Sequence, residues 1–163
     1  MNNCKKVRLF HQTGNWDNVA SILKNGLYAT LNGCEEEDPY PPRRLAVYGS
    51  DELEIRKLAQ RSKEGMVTDW AGNSLDDTPV IEFEVCADEV MVGDLHAECQ
   101  PRYLDTLVDY NKFLESSRGR YQEAEFFIVD EADVPPVSGT RSPQPRILPS
   151  QIKAVHRMKD LVE

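Results

Sequence analysis

Apolar and polar positions recur along this chain with two different periods, and the switches between them mark its elements. Val7-Arg8-Leu9-Phe10 reads as a short strand that ends at His11. Thr13-Gly14-Asn15 follows as a turn with helix-starting side chains, after which Trp16, Val19, Ile22 and Leu23 recur at helical spacing. Gly26 closes that helix where a positive φ is often required, and Leu27-Tyr28-Ala29 gives a second strand. The Gly-, Glu- and Pro-rich stretch from Asn32 to Arg44 reads as a surface loop. Leu45-Ala46-Val47-Tyr48 resumes as a strand. Ser50 is placed to cap the next helix, with Asp51 and Glu52 in its first turn, Ile55, Leu58 and Ala59 facing inward, and Gly65 at its end.

From Val80 to Val85 the alternation is regular, with Ile81, Phe83 and Val85 on one face and Glu82 and Glu84 on the other, which predicts a half-buried strand. Val90-Met91-Val92 adds a short one. Leu104, Leu107, Val108 and Leu114 form the inward stripe of a helix from Tyr103 to Leu114. Glu125-Phe126-Phe127-Ile128-Val129 is strand-like, Pro135 to Pro145 reads as a loop, and Ile152 to His156 as a last strand. Helices lie early and strands late, so the fold class is α+β rather than alternating parallel α/β. No GxGxxG follows a strand, which argues against a Rossmann dinucleotide site.

Composition narrows the picture. The 163 residues suit one domain, 1–163, and 40% apolar with 29% charged residues is the balance of a globular protein. No apolar run reaches the ~20 residues of a membrane span, and the N-terminus has no signal-peptide stretch, so a cytoplasmic start without membrane contact is expected. Cys4, Cys34, Cys86 and Cys99 form no CxxC pair and are expected as reduced thiols, with no metal site. A net charge of −9 disfavours phosphate as a general partner, although Arg43-Arg44, Lys112, Arg118 and Arg120 are local basic spots. Trp16 and Trp70 are expected in the core or at its rim. His96 and His156 lack identifiable partners.

Three segments carry a resemblance. Val7-Arg8-Leu9-Phe10-His11-Gln12-Thr13 with Ile22-Leu23-Lys24-Asn25-Gly26-Leu27 is the first; Leu45 to Ser50 before a helix holding Leu58-Ala59 is the second; Ala124-Glu125-Phe126-Phe127-Ile128-Val129 is the third. In this order, together they resemble the diphtheria-toxin-like, His-Tyr-Glu branch of the ADP-ribosyltransferase superfamily. The resemblance implies a split antiparallel β-sheet core with a few flanking helices. It implies NAD as the substrate cofactor, and His11, Tyr48 and Glu125 as catalytic residues. His11 would hold the adenosine-side ribose, Tyr48 would stack on nicotinamide, and Glu125 would hydrogen-bond a ribose hydroxyl and oppose the oxocarbenium-like charge. His11, Gln12, Thr13 and Tyr48 would together bind NAD. Many relatives have Gly where this chain has Gln12, and its backbone reads the nicotinamide amide. Glu123, two residues before Glu125, would contact the acceptor, or is a solvated surface charge. Glu35-Glu36-Glu37 lies where relatives place a loop over the NAD site, or is a solvated loop.

The implied activity is mono-ADP-ribosyl transfer from NAD. The acidic balance favours a protein or small-molecule acceptor over nucleic acid. NAD hydrolysis would use the same three residues. An RNA 2′-phosphotransferase, a sister branch, needs basic phosphate-gripping residues that are not evident. A catalytically inactive NAD- or ADP-ribose-binding module of the same fold is the non-enzyme alternative.

Overall fold

The structure, a computed structural model, describes residues 4–30, 46–69, 71–92, 127–130 and 141–162. The predicted loop 32–44, the predicted helix 103–114, Cys34, Trp70, His96, Cys99, Glu123 and Glu125 lie outside the described residues.

The chain is mixed α+β, with two antiparallel sheets and two α-helices among the described residues. One sheet has three strands: β4 (Pro79–Cys86) lies between β1 (Lys6–Gln12) and β8 (Ile152–Arg157). The other has five, in the order β5 (Met91–Val92), β6 (Phe127–Asp130), β3 (Ala46–Gly49), β2 (Leu27–Thr30) and β7 (Arg141–Ile147). A single antiparallel bridge, Phe10 to Ser50, joins β1 to the end of β3. Helices α1 (Val19–Asn25) and α2 (Glu52–Lys63) follow β1 and β3.

The core follows from the strand periods. Val7 and Leu9 of β1 meet Val85 and Phe83 of β4 in direct register and pack with Leu27, Val47, Ile81 and Ile147. Burying each such side chain stabilises the fold by about 1.5–3 kcal/mol. Phe10 points to the other face and packs with Ile55 and Ala59 of α2, Val80, Met158 and Leu161. Gly26 ends α1 at φ 92°, and a Cβ there would stand 2.2 Å from the Ile147 carbonyl oxygen, so only glycine fits.

Four expectations are corrected. β4 is covered on both faces: Glu82 is buried, because β4 is the middle strand and Arg8 and His156 close over the carboxylate. Residues 141–145, expected in a loop, belong to β7. Pro143 and Pro145 fit there because among the described residues β7 is an edge strand, where a missing N–H can face away from the ladder. Asp51, not Ser50, caps α2: its carboxylate accepts the Glu54 N–H at 2.8 Å, while the Ser50 backbone is committed to Phe10. Cys4 and Cys86 are not reduced thiols but a disulfide with α-carbons 5.5 Å apart: Cys86 ends β4 opposite Lys6, and Cys4, just before β1, reaches back to it.

Among the described residues no helix is long and apolar enough to cross a membrane, and no three His, Cys, Asp or Glu side chains gather as a metal ion would require.

Candidate functional site

The site grows out of the hydrogen-bond parity of β1. Thr13 donates to the Pro79 carbonyl (3.2 Å) and Ala87 donates to the Lys5 carbonyl (2.8 Å), so odd-numbered residues of β1 spend their backbone groups on β4. Even-numbered residues turn theirs to the opposite edge. Phe10 uses both on Ser50, at 2.8 and 2.9 Å. Beyond this bridge β1 and β3 part, and among the described residues no further pair joins them. Gln12 is the next even-numbered residue. Its N–H and C=O therefore face the gap between the two strands, with no hydrogen bond to any described residue.

His11 fills the apex of that gap. Its Nδ1 lies 2.7 Å from the Tyr48 carbonyl oxygen. A carbonyl only accepts, so Nδ1 carries the proton and Nε2 is left as the acceptor of the neutral ring. The residue is half-buried. Desolvation holds its pKa below that of a free imidazole, and the bond to Tyr48 opposes the shift without cancelling it. His11 is thus an uncharged acceptor near neutral pH.

Beside it opens a cleft of about 180 Å³, lined by Phe10, His11, Gln12, Tyr48, Gly49, Ser50, Ile55 and Leu58. None of these is a charged side chain. Gly49 allows the strands to approach: a Cβ there would stand 3.3 Å from the Phe10 carbonyl oxygen and 3.4 Å from Leu9 Cβ. Thr13 is buried, and its hydroxyl makes no hydrogen bond with any described residue.

The structure therefore brings together three of the residues singled out in the sequence. His11, Gln12 and Tyr48 line one cleft, and Thr13 adjoins it in the chain. Glu125, Glu123 and the Glu35–Glu37 run lie outside the described residues. β6 begins at Phe127, which pairs with Gly49, and Ile128 pairs with Tyr48. Phe10, Gly49, Ser50, Ile55 and Leu58 were not singled out as site residues. The signal for the last two was present in the inward stripe of α2, which points one end of that stripe at the strand end holding Tyr48.

The other described histidine, His156, does have a partner: its Nε2 lies 2.9 Å from Glu82 Oε1, in a network with Arg8. Its ring is 6.0 Å from that of Phe10 and does not line the cleft. Trp16, 40% exposed, is a rim residue held by its indole N–H on the Asp77 carbonyl and by Arg157 over its ring at 5.0 Å. Comparison of the chain with protein-family models, with curated proteins and with solved structures finds no match in any of the three.

Proposed function

We propose that this chain has the ADP-ribosyltransferase fold and is an NAD-consuming mono-ADP-ribosyltransferase whose cleft takes the nicotinamide end of NAD. The observation that carries the reading is the wedge where β1 leaves β3: His11 is bonded to the Tyr48 carbonyl, and the open N–H and C=O of Gln12 face the same gap. A primary carboxamide offers one acceptor and two donors, so it pairs with a backbone N–H and C=O at a free strand edge. Nicotinamide carries such a group on a flat ring, and Tyr48 on the cleft wall supplies an aromatic face for it. Neutral His11, through Nε2, accepts a ribose hydroxyl. The cleft is smaller than the ~300–1,000 Å³ pockets that enclose whole drug-sized ligands, which suits one end of a dinucleotide.

In the reaction the bond from ribose C1′ to the nicotinamide nitrogen breaks, its electron pair leaves with nicotinamide, and a nucleophile of the acceptor bonds to C1′. Glu125 opposes the positive charge on the ribose as that bond breaks. Two peptide units separate it from Phe127, a span of at most about 7 Å, and Phe127 pairs with Gly49 beside Tyr48. A protein or small molecule is the favoured acceptor, given the net charge of −9.

Labelled NAD incubated with the protein and a cell lysate, followed by separation of protein, nucleic acid and small molecules, tests the reading. Label is expected in the protein or small-molecule fraction, with nicotinamide released in step, and Glu125→Gln is expected to reduce both by about 10²–10³-fold or more. Nicotinamide release with only free ADP-ribose as the other product selects NAD hydrolysis. NAD binding without release, unchanged in Glu125→Gln, selects an inactive binding module. The absence of both NAD binding and nicotinamide release would contradict the proposal.

A further inference from the structure

At the end of β1 opposite the cleft, Cys4 and Cys86 are joined by a disulfide, and both are half-buried rather than enclosed. Small thiols therefore have a path to the sulfur atoms. The two sulfurs differ in their surroundings. The exposed Lys6 ammonium lies 3.6 Å from Cys86 Sγ, and no cation stands so placed on Cys4 among the described residues. The carboxylate of Glu89, three residues on, is already engaged: it accepts the Cys86 N–H at 3.1 Å and pairs with Arg146 at 2.9 Å. A thiolate is the better leaving group the more its charge is stabilised, so Cys86 is the sulfur set to leave.

We infer that Cys4–Cys86 is a thiol-exchange site, opened by attack of an external thiolate on Cys4 Sγ, with Lys6 receiving the Cys86 thiolate. The new bond joins the external sulfur to Cys4 Sγ. The disulfide breaks, and its electron pair leaves on Cys86 Sγ beside the ammonium. A second external thiol then attacks the mixed disulfide, releasing Cys4 as a thiol. The external thiols end as their own disulfide, two electrons having passed to the protein. Opening frees the approach to β1, which the Ala87 N–H to Lys5 carbonyl bond still holds. The site stands on the far side of β1 from the cleft and does not depend on the NAD reading.

Glutathione is the probe, on the full-length chain purified in air, with iodoacetamide quenching and mass analysis of proteolytic peptides. Before treatment, a Cys4–Cys86 cross-linked peptide is expected. Brief treatment should place glutathione on Cys4 and leave Cys86 free for alkylation. Lys6→Gln should slow opening about two- to fivefold, the range of an exposed charge contact, and the difference should vanish at about 1 M salt. Lys5→Gln removes the same charge one residue away and should leave the rate unchanged. Absence of the cross-linked peptide, glutathione found on Cys86, or equal opening rates for wild type and Lys6→Gln would each overturn the inference.

Discussion

The two ends of β1 are built oppositely. At its N-terminal end the strand is stitched to its neighbour by the Lys5–Ala87 backbone bond and the Cys4–Cys86 disulfide. At its C-terminal end, among the described residues, the pairing with β3 stops after the Phe10–Ser50 bridge, and the Gln12 backbone meets no partner. Unpaired backbone groups are normally avoided in a protein interior. Here the His11 ring bonds the Tyr48 carbonyl, and Gln12, whose backbone groups meet no partner among the described residues, lines a cleft. The lesson is that stability and openness are divided along one strand. The stitched end fixes where the open end sits.

The strongest way to break this division is to remove what holds the middle of the strand. Leu9 is fully buried between the two ends and faces Phe83. Leu9→Ala is expected to lower stability by about 2–5 kcal/mol, seen as a reduced denaturant midpoint, and to weaken both ends together. A midpoint within experimental error of wild type would show that β1 is not anchored there. Next in size, Cys86→Ser removes the link across a sequence separation of 82 residues. A loss of about 2–4 kcal/mol is expected, and NAD binding measured well below the melting temperature should be kept, because the cleft lies at the other end. Parallel loss of both would erase the proposed division.

The smallest effect concerns pH. His11 has a folded pKa below the 6.5 of a free imidazole, with desolvation the larger cause. Near and below pH 6.5 the unfolded chain therefore binds a proton that the folded chain does not. Stability is highest above pH 6.5 and falls as pH drops through the folded pKa, by at most about 1.4 kcal/mol per pH unit from this one group. Urea denaturation between pH 7.5 and about pH 5 should show this slope in wild type and a shallower one in His11→Asn. Equal slopes would place the titration elsewhere.

Much of this was legible in the sequence, and the rest was hidden for physical reasons. The strands β1, β3 and β4 and the helix α2 follow their apolar periods, and His11 and Tyr48 each stand at the end of a short apolar run. The resemblance, not these periods, singled the two out as site residues, and the His11 ring meets the Tyr48 backbone carbonyl at 2.7 Å. The alternation of β4 misled about Glu82, since a strand with one polar face can still be a central strand when neighbouring side chains, here Arg8 and His156, cover its carboxylate. β7 was obscured by Pro143 and Pro145, which punctuate a sequence as loops do yet fit an edge strand. The Cys4–Cys86 pairing depends on a register between strands that local sequence does not encode. The open edge of Gln12 is a matter of ladder parity, visible only once Phe10 is known to spend its own groups on Ser50.

The most direct test of the nicotinamide cleft compares the two described histidines. Calorimetric titration of NAD into wild type, His11→Ala and His156→Ala separates a ligand-contacting imidazole from one bonded to Glu82. Binding to wild type, a loss of about tenfold or more in His11→Ala, equivalent to the ~1.4 kcal/mol of a lost hydrogen bond, and little change in His156→Ala is the predicted result. No binding to wild type, or equal losses in the two variants, would contradict it.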